Sequence, residues 1–95
     1  MADEPLVRDV FGANLRRIRL RRNLSQEALA AKADGLHRTE VSLLERGERE
    51  PRLSTIILLT RALEVKVATL LAGTESAVIR ERQRKPSAGP KRQRR

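Results

Sequence analysis

The chain has 95 residues, and its 21 lysines and arginines against 12 acidic residues give it a net charge of +9. This length suits a single domain and leaves little room for an enzyme cleft between two lobes, while the absence of cysteine excludes disulfides and thiolate metal sites. The positive charge favours a polyanionic partner. Because Phe11 is the one aromatic residue, stacking on unpaired bases is disfavoured, and double-stranded DNA is the favoured partner.

No export or membrane signal is expected in this sequence. The first ten residues carry acidic side chains rather than a basic segment followed by an apolar one, and no apolar run approaches the roughly 20 residues that cross a bilayer. The preference for arginine over lysine indicates a GC-rich bacterial genome. We therefore expect a cytoplasmic protein of bacterial or phage origin, associated with the nucleoid through DNA and without membrane contact.

The spacing of apolar residues predicts an all-helical chain. Apolar residues recur every three or four positions from Val10 to Leu71, without sustained alternation. In the first helix, Phe11, Leu15 and Ile18 share one face. We predict five helices, at 6–22, 26–33, 37–46, 54–63 and 67–72.

Residues with capping or turn preferences mark the ends of these helices. Ser25 is predicted to cap the second helix and Ser54 the fourth, while Gly35 and Gly47 follow the ends of the second and third. Gly73 is expected to end the folded part.

The C-terminal end of the chain is basic and lacks large apolar side chains. Residues 80–95 hold eight basic residues and one acid, so we divide the chain into a domain at 1–79 and a disordered basic arm at 80–95. The arm either lies along DNA phosphates or serves as a solubilising tail.

A short second helix, a turn containing Gly35 and a short third helix form a helix-turn-helix arrangement. The segments LSQEALA at 24–30, VSLLERGER at 41–49 and PRLST at 51–55 resemble the Cro and phage-repressor type of helix-turn-helix domain, the Xre family. The resemblance covers about residues 11–71. It implies a compact, lambda-repressor-like domain of five helices whose third helix lies in the major groove of DNA.

The outward face of the third helix carries the predicted base contacts. Arg38 either pairs with a guanine or contacts a phosphate, and Thr39 and Leu43 can pack against thymine methyl groups. The family usually has a polar residue at the position of Leu43. The predicted base-contacting residues are Arg38, Thr39, Ser42 and Leu43.

Phosphate contacts are predicted where helix N-termini or basic side chains flank that face. The resemblance also implies that Gln26 supports the side chain of Arg38 and that Arg52 reaches toward the minor groove. The predicted phosphate-contacting residues are Ser25, Gln26, His37, Arg46, Arg49 and Arg52.

Two scaffold features follow from the same resemblance. A structural ion pair is implied between Arg19 of the first helix and Glu45 of the third. Where the family usually has a glycine after helix four, this chain has Glu64, so either Glu64 takes a left-handed backbone conformation or the turn differs.

Helix four carries more apolar residues than the small core needs to bury. Leu58 replaces a residue that is commonly polar in the family, and it is either part of a partner surface or an ordinary exposed leucine. The predicted dimer contacts are Ile57, Leu58, Val67 and Leu70, with Leu71 as the alternative to Leu70.

Together these features predict a sequence-specific transcriptional regulator, of the repressor or controller type, that binds a palindromic double-stranded DNA operator as a homodimer. The alternative is an antitoxin or adaptor that binds a protein partner through helix four, and a sequence-neutral nucleoid protein is a third hypothesis. We expect no enzymatic activity, because the sequence shows neither clustered carboxylates nor a nucleophile with a base. No cofactor, small-molecule ligand or metal is expected, since His37 has no second ligand nearby.

Overall fold

The computed structural model describes residues 4–84, and within that range the chain forms six α-helices and no strand. The helices are α1 (Val7–Arg21), α2 (Gln26–Lys32), α3 (Arg38–Glu45), α4 (Leu53–Leu63), α5 (Val67–Leu70) and α6 (Thr74–Arg84). The all-helical prediction is confirmed, and the ends of α1 to α5 differ from the predicted ones by at most two residues. None of these helices is long and apolar enough to cross a bilayer.

The core is an apolar cluster built from residues at helical spacing. The face of α1 that was predicted to be apolar is buried, as are Val41 and Leu44 of α3. Burial of each such leucine contributes about 1.5 to 3 kcal/mol. Because α3 packs against both α1 and α2, its outer face is held in a fixed orientation relative to the first two helices.

The backbones of α1 and α3 come into close contact at Gly12. A Cβ atom at this position would collide with the backbone carbonyls of Leu44 and Glu45. One turn earlier on α1, Arg8 Nε donates a hydrogen bond to the carbonyl of Gly47, 2.8 Å away, just after the end of α3. The two helices are thus joined along the last turn of α3.

The predicted cap of α2 is confirmed, whereas that of α4 is wrong. Ser25 Oγ accepts a hydrogen bond of 2.9 Å from the backbone N–H of Ala28. Helix α4 begins at Leu53 with Arg52 at the N-cap position and no capping side chain, so Ser54 lies inside its first turn. Burial of Thr55 sets the register of α4, and tertiary packing here overrides the preference of serine for the cap.

The sixth helix is a correction to the predicted five-helix domain. The chain turns at Gly73 (φ +83°) and continues into α6, which packs along α1 and buries Ala77 completely. Residues 80–84 are therefore helical rather than part of a disordered arm. The remainder of the predicted arm, 85–95, lies outside the described residues.

Contacts at the far end of α6 join it to the start of the chain. The Glu81 carboxylate accepts a hydrogen bond from the backbone N–H of Val7, at a helix N-terminus where a negative charge is favourable. Arg80 Nε lies 2.6 Å from Glu4 Oε1, and Arg84 donates to the carbonyl of Glu4. These contacts and the burial of Ala77 explain why a segment of low apolar content folds.

Helix α4 is followed by a non-glycine residue whose backbone is in the left-handed conformation. Glu64 has φ 58° and ψ 47°, and its carbonyl accepts a hydrogen bond of 3.0 Å from Arg22 Nη2. Of the two possibilities raised by the sequence, Glu64 thus accepts the left-handed conformation.

Glu64→Gly is expected to raise the free energy of unfolding by up to about 1 kcal/mol, because glycine adopts this conformation without a Cβ penalty. Urea denaturation measures the change. The matched control is Glu64→Ala, which also removes the exposed carboxylate but keeps the Cβ atom, and which should not stabilise the protein. Equal stability of the two variants would contradict a strained backbone at this position.

Candidate nucleic-acid interface

The site is built on the corner between α2 and α3. The connecting turn contains two residues with positive φ, Asp34 (55°) and Gly35 (102°), so the chain reverses direction within a few residues. Val41 and Leu44 face the core, which directs the opposite face of α3 outward. The corner thus presents α3 as a short polar helix on the surface of the domain.

The four predicted base-contacting residues differ in how far they are exposed. Arg38 and Thr39, in the first turn of α3, are exposed to solvent, whereas Ser42 and Leu43 are half-buried. Leu43, predicted on the outward face, is therefore only partly accessible. The first turn of α3 is the part most open to a partner.

The start of α3 lies beside a concave surface shared with α2. This groove has a volume of about 440 Å³. His37, at the N-cap of α3, is exposed and makes no capping hydrogen bond with its side chain. The groove is lined by Glu27, Ala30, Ala31, Leu36, His37, Arg38 and Thr39.

The predicted phosphate-contacting arginines lie beyond α3, among acidic side chains. Arg49 and Arg52 line one concave region of about 450 Å³ together with Glu40 and Glu50. Arg46 forms an ion pair with Glu48 in which Nε and Oε2 are 3.3 Å apart and both side chains are more than half exposed. Such an exposed pair contributes at most about 1 kcal/mol, so a phosphate can replace the carboxylate at little cost.

A buried ion pair fixes α3 to the rest of the corner. Arg19 of α1 binds Glu45 of α3 through two contacts, Nε to Oε2 at 2.5 Å and Nη2 to Oε1 at 3.0 Å. Arg19 Nη1 also donates to the carbonyl of Leu24, 2.7 Å away. Both charged side chains are less than 10 % exposed, at 9 % and 3 %. This bidentate pair joins α1, the start of α2 and the end of α3.

Gln26 completes this cluster in a way that the sequence did not predict. Its Nε2 donates a 3.0 Å hydrogen bond to Glu45 Oε1, and no hydrogen bond between Gln26 and Arg38 is present among the described residues. Because the Gln26 amide binds Glu45, Gln26 supports the C-terminal end of α3 rather than the side chain of Arg38. The other predicted phosphate-contacting residue of this region, Ser25, is exposed at the N-cap of α2.

Sequence reasoning assigned no role to Arg8, which is exposed beside the end of α3. Its position one turn before Gly12 on the same face of α1 is the signal that could have identified it, because Gly12 marks where α3 approaches. Arg8 holds the carbonyl of Gly47 and thereby orders the start of the loop that carries Arg46 and Arg49.

The predicted dimer contacts fall into two groups. Ile57 and Val67 are 45 % and 41 % exposed, whereas Leu58 is half-buried against the core and Leu70 is fully buried. Leu70 was therefore wrongly assigned to a surface. Leu53, which was not among the predicted contacts, lies one turn before Ile57 and is 72 % exposed. We call Leu53, Ile57 and Val67 the α4–α5 surface.

Metal ligands do not cluster in the part of the chain that the structure describes. No group of three or more histidine, aspartate or glutamate side chains within residues 4–84 is arranged to hold a metal ion.

Comparisons with known proteins agree with this geometry. Residues 15–70 match the sequence profile of the Helix-turn-helix family. The chain is 45 % identical over 65 residues to the control protein C.SmaI of Serratia marcescens, covering 68 % of this chain and 76 % of that protein. It is 40 % identical to the restriction-modification controller protein C.AhdI from Aeromonas hydrophila, whose crystal structure superposes with a TM-score of 0.64 over 66 % of this chain and 94 % of that one. The clp gene regulator ClgR from Corynebacterium glutamicum superposes with a TM-score of 0.71 at 27 % identity, over 86 % of each chain.

Proposed function

We propose, from the premise that this chain belongs to the Helix-turn-helix family of transcription regulators, that it binds a palindromic DNA operator as a homodimer and acts as a regulator of the repressor or controller type. The observation that carries this proposal is the exposed first turn of α3, a helix whose other end is joined to α1 by the Arg19–Glu45 ion pair and to α2 by the Gln26–Glu45 hydrogen bond. A rigid helix with an accessible polar end is what major-groove recognition requires.

Base recognition is assigned to the outward side of α3. Arg38 and Thr39 reach base edges first, because residues at the N-terminal end of a recognition helix enter the groove most deeply. Ser42 and Leu43 follow one turn later and make shallower contacts. The residues flanking α3 bind the DNA backbone and set the register of the helix. These are Ser25, Gln26, His37, Arg46, Arg49 and Arg52.

The α4–α5 surface is assigned to the homodimer. Its three apolar side chains are 72 %, 45 % and 41 % exposed, and burying them against a second copy removes apolar area from water. For operator binding, the two-fold axis at this surface must set the two α3 helices about 34 Å apart, one turn of DNA. An inverted-repeat operator follows from that symmetry.

Selection of binding sites from random duplex DNA tests the proposal. The full chain should enrich an inverted repeat, and a full-length variant with both Arg38→Ala and Thr39→Ala should lose it while keeping its helical circular dichroism. Failure of the full chain to enrich any motif would overturn the proposal and favour a protein partner for the α4–α5 surface.

Ile57→Asp should weaken the homodimer and lower operator affinity at least tenfold, because two unpaired carboxylates would enter an apolar interface. Sedimentation equilibrium and operator titration measure the two effects. The matched control is Leu20→Asp, which changes another exposed apolar residue, on α1, and should leave both quantities unchanged. Dimerisation that survives Ile57→Asp would exclude the α4–α5 surface as the operator-binding interface.

A further inference from the structure

The outer face of α6 carries apolar side chains that no other part of the described chain covers. Val78 and Ile79 are 40 % and 50 % exposed, and Glu75 and Arg82 lie on the same face, one turn to either side. The face of α6 opposite to these four residues packs on α1 through Ala77 and Glu81. We call Glu75, Val78, Ile79 and Arg82 the α6 face.

Neither charge of the α6 face has a partner within residues 4–84: no hydrogen bond or ion pair involves the side chain of Glu75 or Arg82. The two residues are two helical turns apart, roughly 10 Å along the axis, and cannot pair with each other. Ion pairs inside a helix join residues three or four positions apart. Between Glu75 and Arg82, those positions hold the apolar residues Val78 and Ile79. The charges are therefore available to a partner.

The sequence of side chains along this face would pair with the same sequence running in the opposite direction. From Glu75 to Arg82 the four residues read acid, apolar, apolar, base, and they are spaced symmetrically about the midpoint between Val78 and Ile79. When a second copy lies antiparallel across a two-fold axis at that midpoint, Glu75 stands level with Arg82 of the second copy. Val78 and Ile79 then meet the same residues of that copy. Interfaces between identical chains take this self-complementary form.

We infer that α6 binds α6 of a second copy of this chain in an antiparallel pair, through the α6 face. The contact uses a surface different from the α4–α5 surface and does not rest on it. Contacts of Glu81 with Val7 and of Arg80 with Glu4 hold α6 against α1, so the face is presented by a fixed helix and little conformational freedom is lost on pairing.

A second copy fits this face better than the basic end of the same chain. Residues 85–95 carry five basic residues and no acid, and they would place positive charge beside Arg82.

One helical face per copy buries less than the roughly 1,200 Å² of a stable independent interface. The contact is therefore weak in free solution and adds cooperativity between copies that DNA or the α4–α5 surface already holds close together.

A charge-exchange experiment with cysteine cross-linking tests this inference. The chain has no cysteine, so full-length Ile79→Cys provides a single thiol near the two-fold axis, and oxidation should give a covalent dimer. Gln83→Cys is the matched control, because Gln83 is exposed on the side of α6 and lies far from its counterpart in the proposed pair. Gln83→Cys should cross-link little at the same concentration.

Adding Glu75→Arg or Arg82→Glu to the Ile79→Cys chain should each lower cross-linking about tenfold, because the two-fold axis turns two attractive pairs into two repulsive ones. Mixing these two variants should restore cross-linking, since every contact in the mixed dimer again joins an acid to a base. Absence of rescue, or equal cross-linking of Gln83→Cys, would overturn the inference. Adding Ile57→Asp should lower the overall yield of cross-linking, because the two copies are no longer held close together, but it should preserve the ratio of mixed to unmixed cross-linking, which separates this contact from the operator-binding dimer.

Discussion

Glu45→Ala is expected to lower the free energy of unfolding by about 3 to 5 kcal/mol, the largest stability effect that we predict for one substitution. Removing the carboxylate leaves the Arg19 guanidinium buried without its countercharge, and such uncompensated charges carry most of the cost of breaking a buried ion pair. The Gln26 amide loses its acceptor in the same step. Urea denaturation followed by circular dichroism measures the change.

Two further variants show whether burial of the charge is the cause. Glu48→Ala removes a carboxylate from an exposed ion pair with Arg46 and should cost less than about 1 kcal/mol. Replacing Arg19 and Glu45 together by leucines should cost less than the sum of the two single substitutions, since no charge is then left alone. A loss below about 1 kcal/mol for Glu45→Ala would show that the pair does not hold α3 to α1.

The first five helices were predictable because each buries an apolar stripe, or begins and ends at residues with strong local preferences. In α1, Phe11, Leu15 and Ile18 recur at helical spacing and are buried, and Ser25 caps α2 as expected. These signals are local, so they can be read without knowing the tertiary structure.

Helix α6 could not be predicted in the same way. Its inward face contains one small apolar residue, Ala77, and its other fixed contacts are polar. Glu81 and Arg80 bind groups more than 70 residues away, at the start of the chain. Composition, with basic residues dominating 80–95, favoured disorder from Arg80 onward. The partners that stabilise it become visible only once the two ends of the chain are adjacent.

The candidate site was predictable in position but less so in detail. The turn at Gly35 and the buried residues Val41 and Leu44 placed α3 at the surface. Helix α5, however, has four residues, and so short a helix gives no periodicity to distinguish Leu70 from Leu71. The structure shows that Leu70 faces the core. Likewise, the family resemblance paired Gln26 with Arg38, and only the packed geometry identifies Glu45 Oε1 as the acceptor for its amide.

Arg38→Ala is expected to lower affinity for the selected operator by about 1 to 3 kcal/mol per half-site, and to remove the preference for one base pair in each half-site. These are the consequences of losing a bidentate contact with guanine. Arg38 is suited to this role because it is exposed in the first turn of α3 and no ion pair within residues 4–84 occupies its guanidinium. Titration against the operator, its single-base variants and unrelated duplex measures both effects.

Salt dependence distinguishes this base contact from the alternative, a phosphate contact. Arg49→Ala is the matched control, since Arg49 is an exposed arginine just beyond α3. It should weaken binding to all duplexes by similar factors and reduce the slope of log affinity against log salt by about one for each phosphate that is no longer neutralised. Arg38→Lys should keep that slope but not the preference for the base, because lysine lacks the planar two-pronged donor. If Arg38→Ala instead weakened operator and unrelated duplex equally, Arg38 would bind the backbone and recognition would fall to Thr39 and Ser42.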